Sequence, residues 1–153
     1  MNLDAIMEFF SGAENAAPVL PDAGTLVDKV EPIARGLVVA GPVIMLILGL
    51  LYLFAAPKEA NHHFGYRCYF GMGSEEAWQF TQRIAGITWT ALGAIMTVAM
   101  LIVTARFPGQ DILEMLTTAV TCVIVEALVL LVATLVIRIT VAARYDRHGE
   151  RRR

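Results

Sequence analysis

Three long apolar runs, separated by short polar stretches, dominate the sequence after about its first 33 residues. The first run contains no charged residue between Gly36 and Ala56. An α-helix needs about 20 predominantly apolar residues to cross the hydrocarbon core of a bilayer. The pattern therefore predicts three transmembrane helices, at about residues 34–56, 84–105 and 112–137.

The second predicted helix begins with a recognisable capping pattern. Ser74 followed by Glu75 and Glu76 is typical of an N-cap with acids in the first helical turn. A helix from Ser74 to Ala105 would be about 48 Å long at about 1.5 Å per residue, whereas the hydrocarbon core is about 30 Å thick. Its first turns therefore protrude from the bilayer or bend along its surface. The Phe-Pro-Gly-Gln-Asp stretch at residues 107–111 predicts a tight turn before the third helix.

Composition agrees with this pattern and fixes the fold class. Hydrophobic residues make up 57% of the chain and charged residues 17%, whereas charged residues are about 25% of a typical soluble domain. The prediction is an all-α integral membrane protein. Apolar residues at helical spacing in residues 1–10 further predict a short amphipathic helix on the membrane surface.

Basic residues are distributed unevenly between the two sides of the predicted membrane domain. We divide the chain into an N-terminal segment (1–32), a three-helix domain (33–137) and a basic tail (138–153). With three spans, the polar loop (residues 57–83) and the tail share one side, which carries nine Lys and Arg residues against three on the other. Because cytoplasmic loops carry the excess of basic residues, we expect the polar loop and C-terminus in the cytoplasm and the N-terminus outside.

A stripe of small residues on the second span predicts close helix packing. Gly86, Thr90, Gly93 and Thr97 recur at helical spacing, so another helix can approach closely and hydroxyl groups can bond across the contact. Packing within one chain and a homodimer seam are the two interpretations.

Glu126 is the unusual residue of the third span. An ionised side chain near the middle of a span costs about 2.5 kcal/mol or more, unless it is protonated or paired. Thr118 and Cys122 precede it at four-residue steps, so a polar patch is expected to face the bundle, where Thr90 or Thr97 can meet it. The alternatives are a proton or cation site and a protonated carboxyl group bonded to a hydroxyl.

The polar loop holds most of the other candidate chemistry. His62 and His63, with Cys68 and Glu59 nearby, match no compact tetrahedral ligand spacing, so we expect neither a metal nor a cofactor. The two cysteines of the chain form no CxxC motif and predict free thiols.

Arg67 has two interpretations. It can fold back on Glu75 or Glu76 as a bidentate ion pair that clamps the loop to the helix start, helped by a sharp backbone turn at Gly65. It can instead bind a lipid phosphate or a peptide carboxylate, because its planar guanidinium group suits both.

The order of uncommon residues between Pro57 and Gly86 resembles the SdpI family of small bacterial membrane proteins. In that family an Asn-x-x-x-Gly-Tyr-Arg-Thr stretch is followed by a Ser-rich turn and a helix that carries Glu and Trp. Cys68 stands where the family usually has Thr. The matching positions here are Asn61, Gly65, Tyr66, Arg67, Ser74, Glu75 or Glu76, and Trp78.

The resemblance implies a binding role at the bacterial inner membrane. The best-known family role is immunity to a secreted peptide toxin, together with retention of a repressor at the membrane. We therefore expect a lipid-embedded protein, able to form homo-oligomers, that binds a peptide toxin or a cytoplasmic repressor and no nucleic acid directly. We expect no enzymatic activity, because the sequence supplies no nucleophile with a neighbouring base. The alternative is a small proton-coupled exporter that uses Glu126.

Overall fold

The computed structural model describes residues 23–60 and 63–152, and in that part of the chain it contains three long α-helices. All three are long and apolar enough to cross a membrane, which confirms the predicted all-α membrane fold. The predicted amphipathic helix at residues 1–10 lies outside the described residues. The helices are α1 (Ala23–Phe54), α2 (Glu75–Thr104) and α3 (Ile112–Arg144), and a short 3-10 helix (Phe70–Met72) lies between α1 and α2.

Two helices extend beyond the apolar runs that predicted them. α1 begins at Ala23 rather than near residue 34, and α3 continues to Arg144 rather than ending near residue 137. In the extension of α1, Arg35 and Glu31 form an ion pair of 2.6 Å one turn apart, a spacing that supports a helix outside lipid. Polar residues therefore continue these helices past the point where charge interrupts the apolar pattern.

The helices alternate in direction, so the bundle has one end at the polar loop and a far end at the turn between α2 and α3. Each end has its own buried core. The loop-end core consists of Tyr66, Cys68, Ala77, Ala85, Ile137, Val141 and Tyr145. The far-end core consists of Ala34, Val38, Met96, Met100, Phe107, Met115, Ala119 and Cys122.

The small-residue stripe of α2 packs against α1, which confirms the intramolecular interpretation. A Cβ added at Gly93 would lie 2.5 Å from the backbone nitrogen of Leu46, and one added at Gly86 would lie 3.0 Å from the carbonyl oxygen of Gly49. A Cβ at Gly49 would in turn clash with the backbone of Thr90. The two helices therefore approach through glycines contributed by both.

The connection between α2 and α3 is the predicted tight turn. The N–H of Gln110 donates to the carbonyl of Phe107 (3.1 Å), and Gly109 has a φ of 86°. Pro108 before a glycine of positive φ is the signature of a type II turn. Phe107 is fully buried in the far-end core, which fastens the turn to the bundle.

The middle of α3 is less buried than its two ends. Between Cys122 and Ala133 it has no buried residue, although each of those two is itself buried. Large apolar side chains of this stretch, including Leu128 and Leu131, are more than half exposed and face the lipid.

Candidate functional site

The side-chain amide of Gln82 fastens the polar loop to α2. Gln82 is 3% exposed, and both ends of its amide bond the backbone of Tyr66. The N–H of Tyr66 donates to Gln82 Oε1 and Gln82 Nε2 donates to the carbonyl of Tyr66, both at 2.8 Å. Because these groups are buried, losing either bond would leave a polar atom without a partner. The pair therefore fixes the backbone of the loop one residue before Arg67.

Trp78 and Gly65 complete this attachment. Trp78 is fully buried, and its indole N–H donates to the carbonyl of Pro57 at 2.8 Å. Gly65 has a φ of 120°, and an added Cβ would lie 2.7 Å from the Trp78 ring. Glycine is needed there both for its backbone conformation and for the close approach. Trp78 thus packs inside the protein rather than at the lipid headgroups.

The side chain of Tyr66 inserts into the loop end of the bundle and touches all three helices. Its ring packs edge-on against Tyr52 of α1 (6.3 Å between centroids) and Trp89 of α2 (5.9 Å). Its O–H donates to the carbonyl of Thr134 in α3 at 3.3 Å. Burial raises the pKa of Tyr66, opposed by the charge of Arg138. The phenol therefore stays protonated and able to donate.

The predicted clamp between Arg67 and the glutamates of α2 stays a prediction, and the neutral amide pair already attaches the loop to α2. Glu75 accepts a hydrogen bond from Gln79 one turn along α2 (2.9 Å), and Glu76 accepts one from the O–H of Tyr145 (3.2 Å). The Arg67 side chain is exposed on the outer surface of the loop.

The segment predicted as a basic tail forms a compact C-terminal turn (residues 145–152). Tyr145 and Arg151 form an antiparallel bridge, and the carboxylate of Asp146 accepts hydrogen bonds from the N–H groups of Glu150 (2.8 Å) and His148 (2.9 Å). The bonds from these two N–H groups hold the pKa of Asp146 below its usual value. The side chain thus ties the turn together as a carboxylate at neutral pH.

This C-terminal turn docks on the start of α2. The N–H of Ala77 donates to Ser74 Oγ (3.2 Å), which confirms the predicted N-cap, and the same hydroxyl donates to the carbonyl of Gly149 (2.8 Å). Arg151 forms an ion pair with Glu76 (3.6 Å). Asp and Gly in the stretch Asp-Arg-His-Gly-Glu are turn signals that the interpretation as a charged tail overlooked.

The Glu126 side chain packs against Gly41 of α1 and forms no hydrogen bond with Thr90 or Thr97, the threonines expected to meet it. A Cβ added at Gly41 would lie 2.5 Å from Glu126 Oε2, and Glu126 Oε1 is buried with no hydrogen-bond partner among the described residues. Thr97 donates to a carbonyl of its own helix, and the hydroxyl of Thr90 packs against Gly49 without a hydrogen-bond partner in the same part of the chain.

A cavity of about 220 Å³ lies beside Glu126, which forms part of its wall. Its walls are apolar apart from that group, and all three helices contribute to them. The cavity is lined by Gly41, Pro42, Met45, Met96, Val123, Glu126, Ala127 and Leu130.

Two predicted site residues are not tested by these contacts. Asn61 and His62 lie outside the described residues, so the role of Asn61 and the absence of a histidine metal site stay predictions. His63 is exposed, and the described residues contain no group of three or more side chains able to hold a metal ion.

Comparison with known proteins gives one match. The sequence model described as the SdpI/YfhL protein family matches residues 58–140. The match covers most of the polar loop, all of α2 and most of α3, and so includes the Gln82–Tyr66 pair, Arg67 and Glu126. No curated protein and no solved structure matches the chain.

Proposed function

Because the chain belongs to the SdpI/YfhL protein family, we propose that it binds a peptide toxin or a cytoplasmic partner in an immunity or signalling system of the bacterial inner membrane. The observation that carries a binding role is the Gln82–Tyr66 amide pair. It fixes the backbone next to the exposed Arg67, and a surface held in one conformation loses little entropy when it binds. The planar guanidinium group of Arg67 suits a carboxylate or phosphate of the partner.

A role in binding rather than catalysis is supported by the state of the loop's two candidate nucleophiles. Cys68 is buried in the loop-end core. The hydroxyl of Ser74 accepts from Ala77 and donates to Gly149, so it is committed to the helix cap and to the C-terminal turn. A nucleophilic mechanism requires a side chain that can reach both a base and a substrate.

The side of the membrane suggests how the binding surfaces are divided. The polar loop and the C-terminal turn form one surface, on the side that carries nine of the twelve basic residues, and the positive-inside rule assigns that side to the cytoplasm. A soluble repressor would meet this surface. A membrane-inserted peptide would instead meet the helices.

Replacing Arg67 tests the binding role of the loop. In a toxin-sensitive bacterial host that expresses the protein, Arg67→Ala should lower survival under a secreted peptide toxin of the kind that the family counters. The expected loss is about tenfold or more, because a charge-assisted bidentate contact is among the stronger polar interactions. The amount of protein in the membrane, measured by immunoblot, should not change.

Arg106→Ala is the matched control, because Arg106 is also exposed but lies at the far end of the bundle. It should leave survival unchanged. Equal survival with wild-type protein and Arg67→Ala would contradict a role for this surface, as would equal losses in the two variants.

A second candidate function, a proton-coupled exporter, is favoured by the buried Glu126 oxygen without a hydrogen-bond partner. A carboxylate at membrane depth that can gain and lose a proton is typical of transporters. The two functions differ in whether substrate crosses the membrane. In inverted vesicles with an imposed proton gradient, an exporter would accumulate a labelled substrate and Glu126→Gln would stop it, whereas a binding protein would show no gradient-driven uptake.

A further inference from the structure

The cavity around Glu126 lies at the centre of the membrane. Glu126 is midway between Glu114 and Arg138, the nearest charged residues of α3 on either side, and about 18 Å from each at about 1.5 Å per residue. Half the thickness of the hydrocarbon core is about 15 Å. Both flanking charges can therefore reach the headgroup regions while Glu126 stays at the midplane.

The described part of the chain brings no cation to this carboxylate. No basic residue lines the cavity. Arg35 is six residues before Gly41 in α1, about 9 Å along the helix axis, and it pairs with Glu31, which lies farther from Gly41. Arg83 and Arg138 are twelve or more residues from Met96 and Glu126, the lining residues of their own helices. Glu126 Oε1 is nevertheless buried without a hydrogen-bond partner in the described part of the chain. The group that satisfies this oxygen must be a proton or come from outside the described residues.

A second feature of the cavity also favours a hydrogen-bond donor. Pro42 lines the cavity and is buried within α1. Proline has no backbone N–H, so the carbonyl of Val38 lacks its usual helical partner. Gly41 leaves the space that the Glu126 carboxylate occupies, since an added Cβ would lie 2.5 Å from Oε2. The site thus combines a carboxylate oxygen without a hydrogen-bond partner among the described residues, a proline that cannot donate a backbone N–H, and apolar walls.

Size and depth restrict what can enter. At about 220 Å³ the cavity is smaller than the roughly 300–1,000 Å³ of small-molecule pockets. A calcium or magnesium ion would need about six or more oxygen ligands, and the cavity offers one carboxylate. The amine of a lipid headgroup stays about 15 Å away, at the membrane surface. A single side chain from a helix lying against α3 is small enough for the cavity, needs only one carboxylate as its partner, and can reach the centre of the membrane.

We propose that the cavity binds the basic side chain of a membrane-inserted peptide helix, with the Glu126 carboxylate as its counter-ion. The apolar rim formed by Val123, Ala127 and Leu130 packs against the apolar side chains of that helix. This site rests on the proposed function, in which the protein binds a peptide. It specifies where that peptide binds and which kind of side chain the protein recognises. A second copy of the chain would bring another glutamate to this depth and no cation.

Synthetic transmembrane peptides test the site without knowledge of the natural ligand. The protein is reconstituted in phosphatidylcholine vesicles with a Leu/Ala peptide of about 20 residues. The peptide has either Lys or Leu at its centre. A dansyl group on the peptide accepts energy from the tryptophans of the protein and so reports binding. The Lys peptide should bind about tenfold more tightly than the Leu peptide, as expected for one interhelical polar contact in lipid. Glu126→Gln should abolish this preference while retaining side-chain volume.

A pair of glycine variants separates loss of the site from loss of the fold. Gly41→Ala places a methyl group against the carboxylate and should remove the preference for Lys. Gly36→Ala in the same helix meets nothing within 4 Å and should retain it. Equal binding of both peptides by the wild-type protein would overturn the proposal, and so would an unchanged preference in Glu126→Gln.

Self-association is the other informative outcome. Energy transfer between labelled copies of the protein that disappears in Glu126→Gln would make a second copy the occupant and would also overturn the proposal. Arg67→Ala should retain the preference for the Lys peptide, because the polar loop takes no part in it. Wild-type protein that protects cells from the toxin but shows no preference for the Lys peptide would overturn the Glu126 site and leave the proposed function intact. Wild-type protein that prefers the Lys peptide but does not protect cells would count against the proposed function instead.

Discussion

At the scale of single residues, the conformation of the polar loop depends on one neutral side chain. Gln82 is buried on α2, and its amide forms the same two bonds with Tyr66 that a neighbouring β-strand would form. An amide can do this because it carries a donor and an acceptor side by side, whereas a carboxylate only accepts and an ammonium group only donates. A neutral amide therefore fixes the backbone next to Arg67.

Replacing Gln82 should release the loop. Gln82→Ala leaves the N–H and carbonyl of Tyr66 buried and unsatisfied, at a cost of about 1–3 kcal/mol for each group. Trypsin should then cleave after Arg67 faster than in the wild-type protein in inverted vesicles. Gln82→Glu should behave similarly at neutral pH, and its defect should shrink as falling pH protonates the carboxyl group and restores a donor.

Gln79→Ala provides the comparison, since Gln79 is exposed on the adjacent turn and bonds only Glu75 among the described contacts. Its cleavage rate should match that of wild type. If Gln82→Ala and Gln79→Ala are cleaved equally slowly, the amide pair does not hold the loop.

The nearby sequence was sufficient to predict the role of some of these residues and insufficient for others. The Ser74 cap and the turn at Gly65 depend on neighbours within a few positions, so the sequence predicts them. Gln82 bonds a residue sixteen positions earlier, and nothing local separates it from an ordinary polar helix residue. The sequence predicted Glu126 as unusual from its depth, but its neighbour Gly41 depends on how α1 packs against α3.

At the scale of elements, the end of α3 and the C-terminal turn act as a second fastening for the start of α2. Arg144 lies over the ring of Phe80 on α2 at 4.6 Å. Burial and the hydrogen bond to Glu76 raise the pKa of Tyr145, so its O–H remains a donor to that carboxylate at neutral pH. The arginine-rich composition predicted only a basic tail, because charge density alone does not reveal that a glycine lets the backbone reverse and dock.

Gly149→Ala should detach this turn. Gly149 has a φ of 76°, and an added Cβ would clash with the backbone nitrogen of Ser74. Trypsin cleavage after Arg147 should become about tenfold faster, because proteolysis follows the population of the open form and about 1.4 kcal/mol changes that population tenfold.

Gly109→Ala is the control for backbone strain. Gly109 has a φ of 86° but nothing within 4 Å of an added Cβ, so it incurs the strain of a left-handed residue without the clash. Cleavage after Arg147 should be unchanged in this variant. An equally slow cleavage in Gly149→Ala would show that the turn does not depend on docking against Ser74.

At the scale of the whole molecule, α1 and α2 pack tightly against each other, and the buried residues of α3 lie towards its two ends. Glycines on both sides bring α1 and α2 together, whereas α3 contacts them through the far-end core and the loop-end core and leaves the Glu126 cavity between. Apolar run length predicted the three spans. It could not predict the cavity beside Glu126. Lipid solvates apolar helices whether or not they pack against each other, so the apolar pattern of one span does not show which helices it contacts.

In the proposed function, the polar loop and the C-terminal turn form one cytoplasmic surface, opposite the turn between α2 and α3. The most direct test is labelling of single cysteines with a membrane-impermeant maleimide, in a background where Cys68 and Cys122 are replaced by Ser. Lys58→Cys and Arg147→Cys should react only after the cells are permeabilised, and Arg106→Cys should react in intact cells. Labelling of Lys58→Cys and Arg106→Cys from the same side would contradict the three-span fold, and labelling of Lys58→Cys and Arg147→Cys in intact cells would contradict the cytoplasmic binding surface.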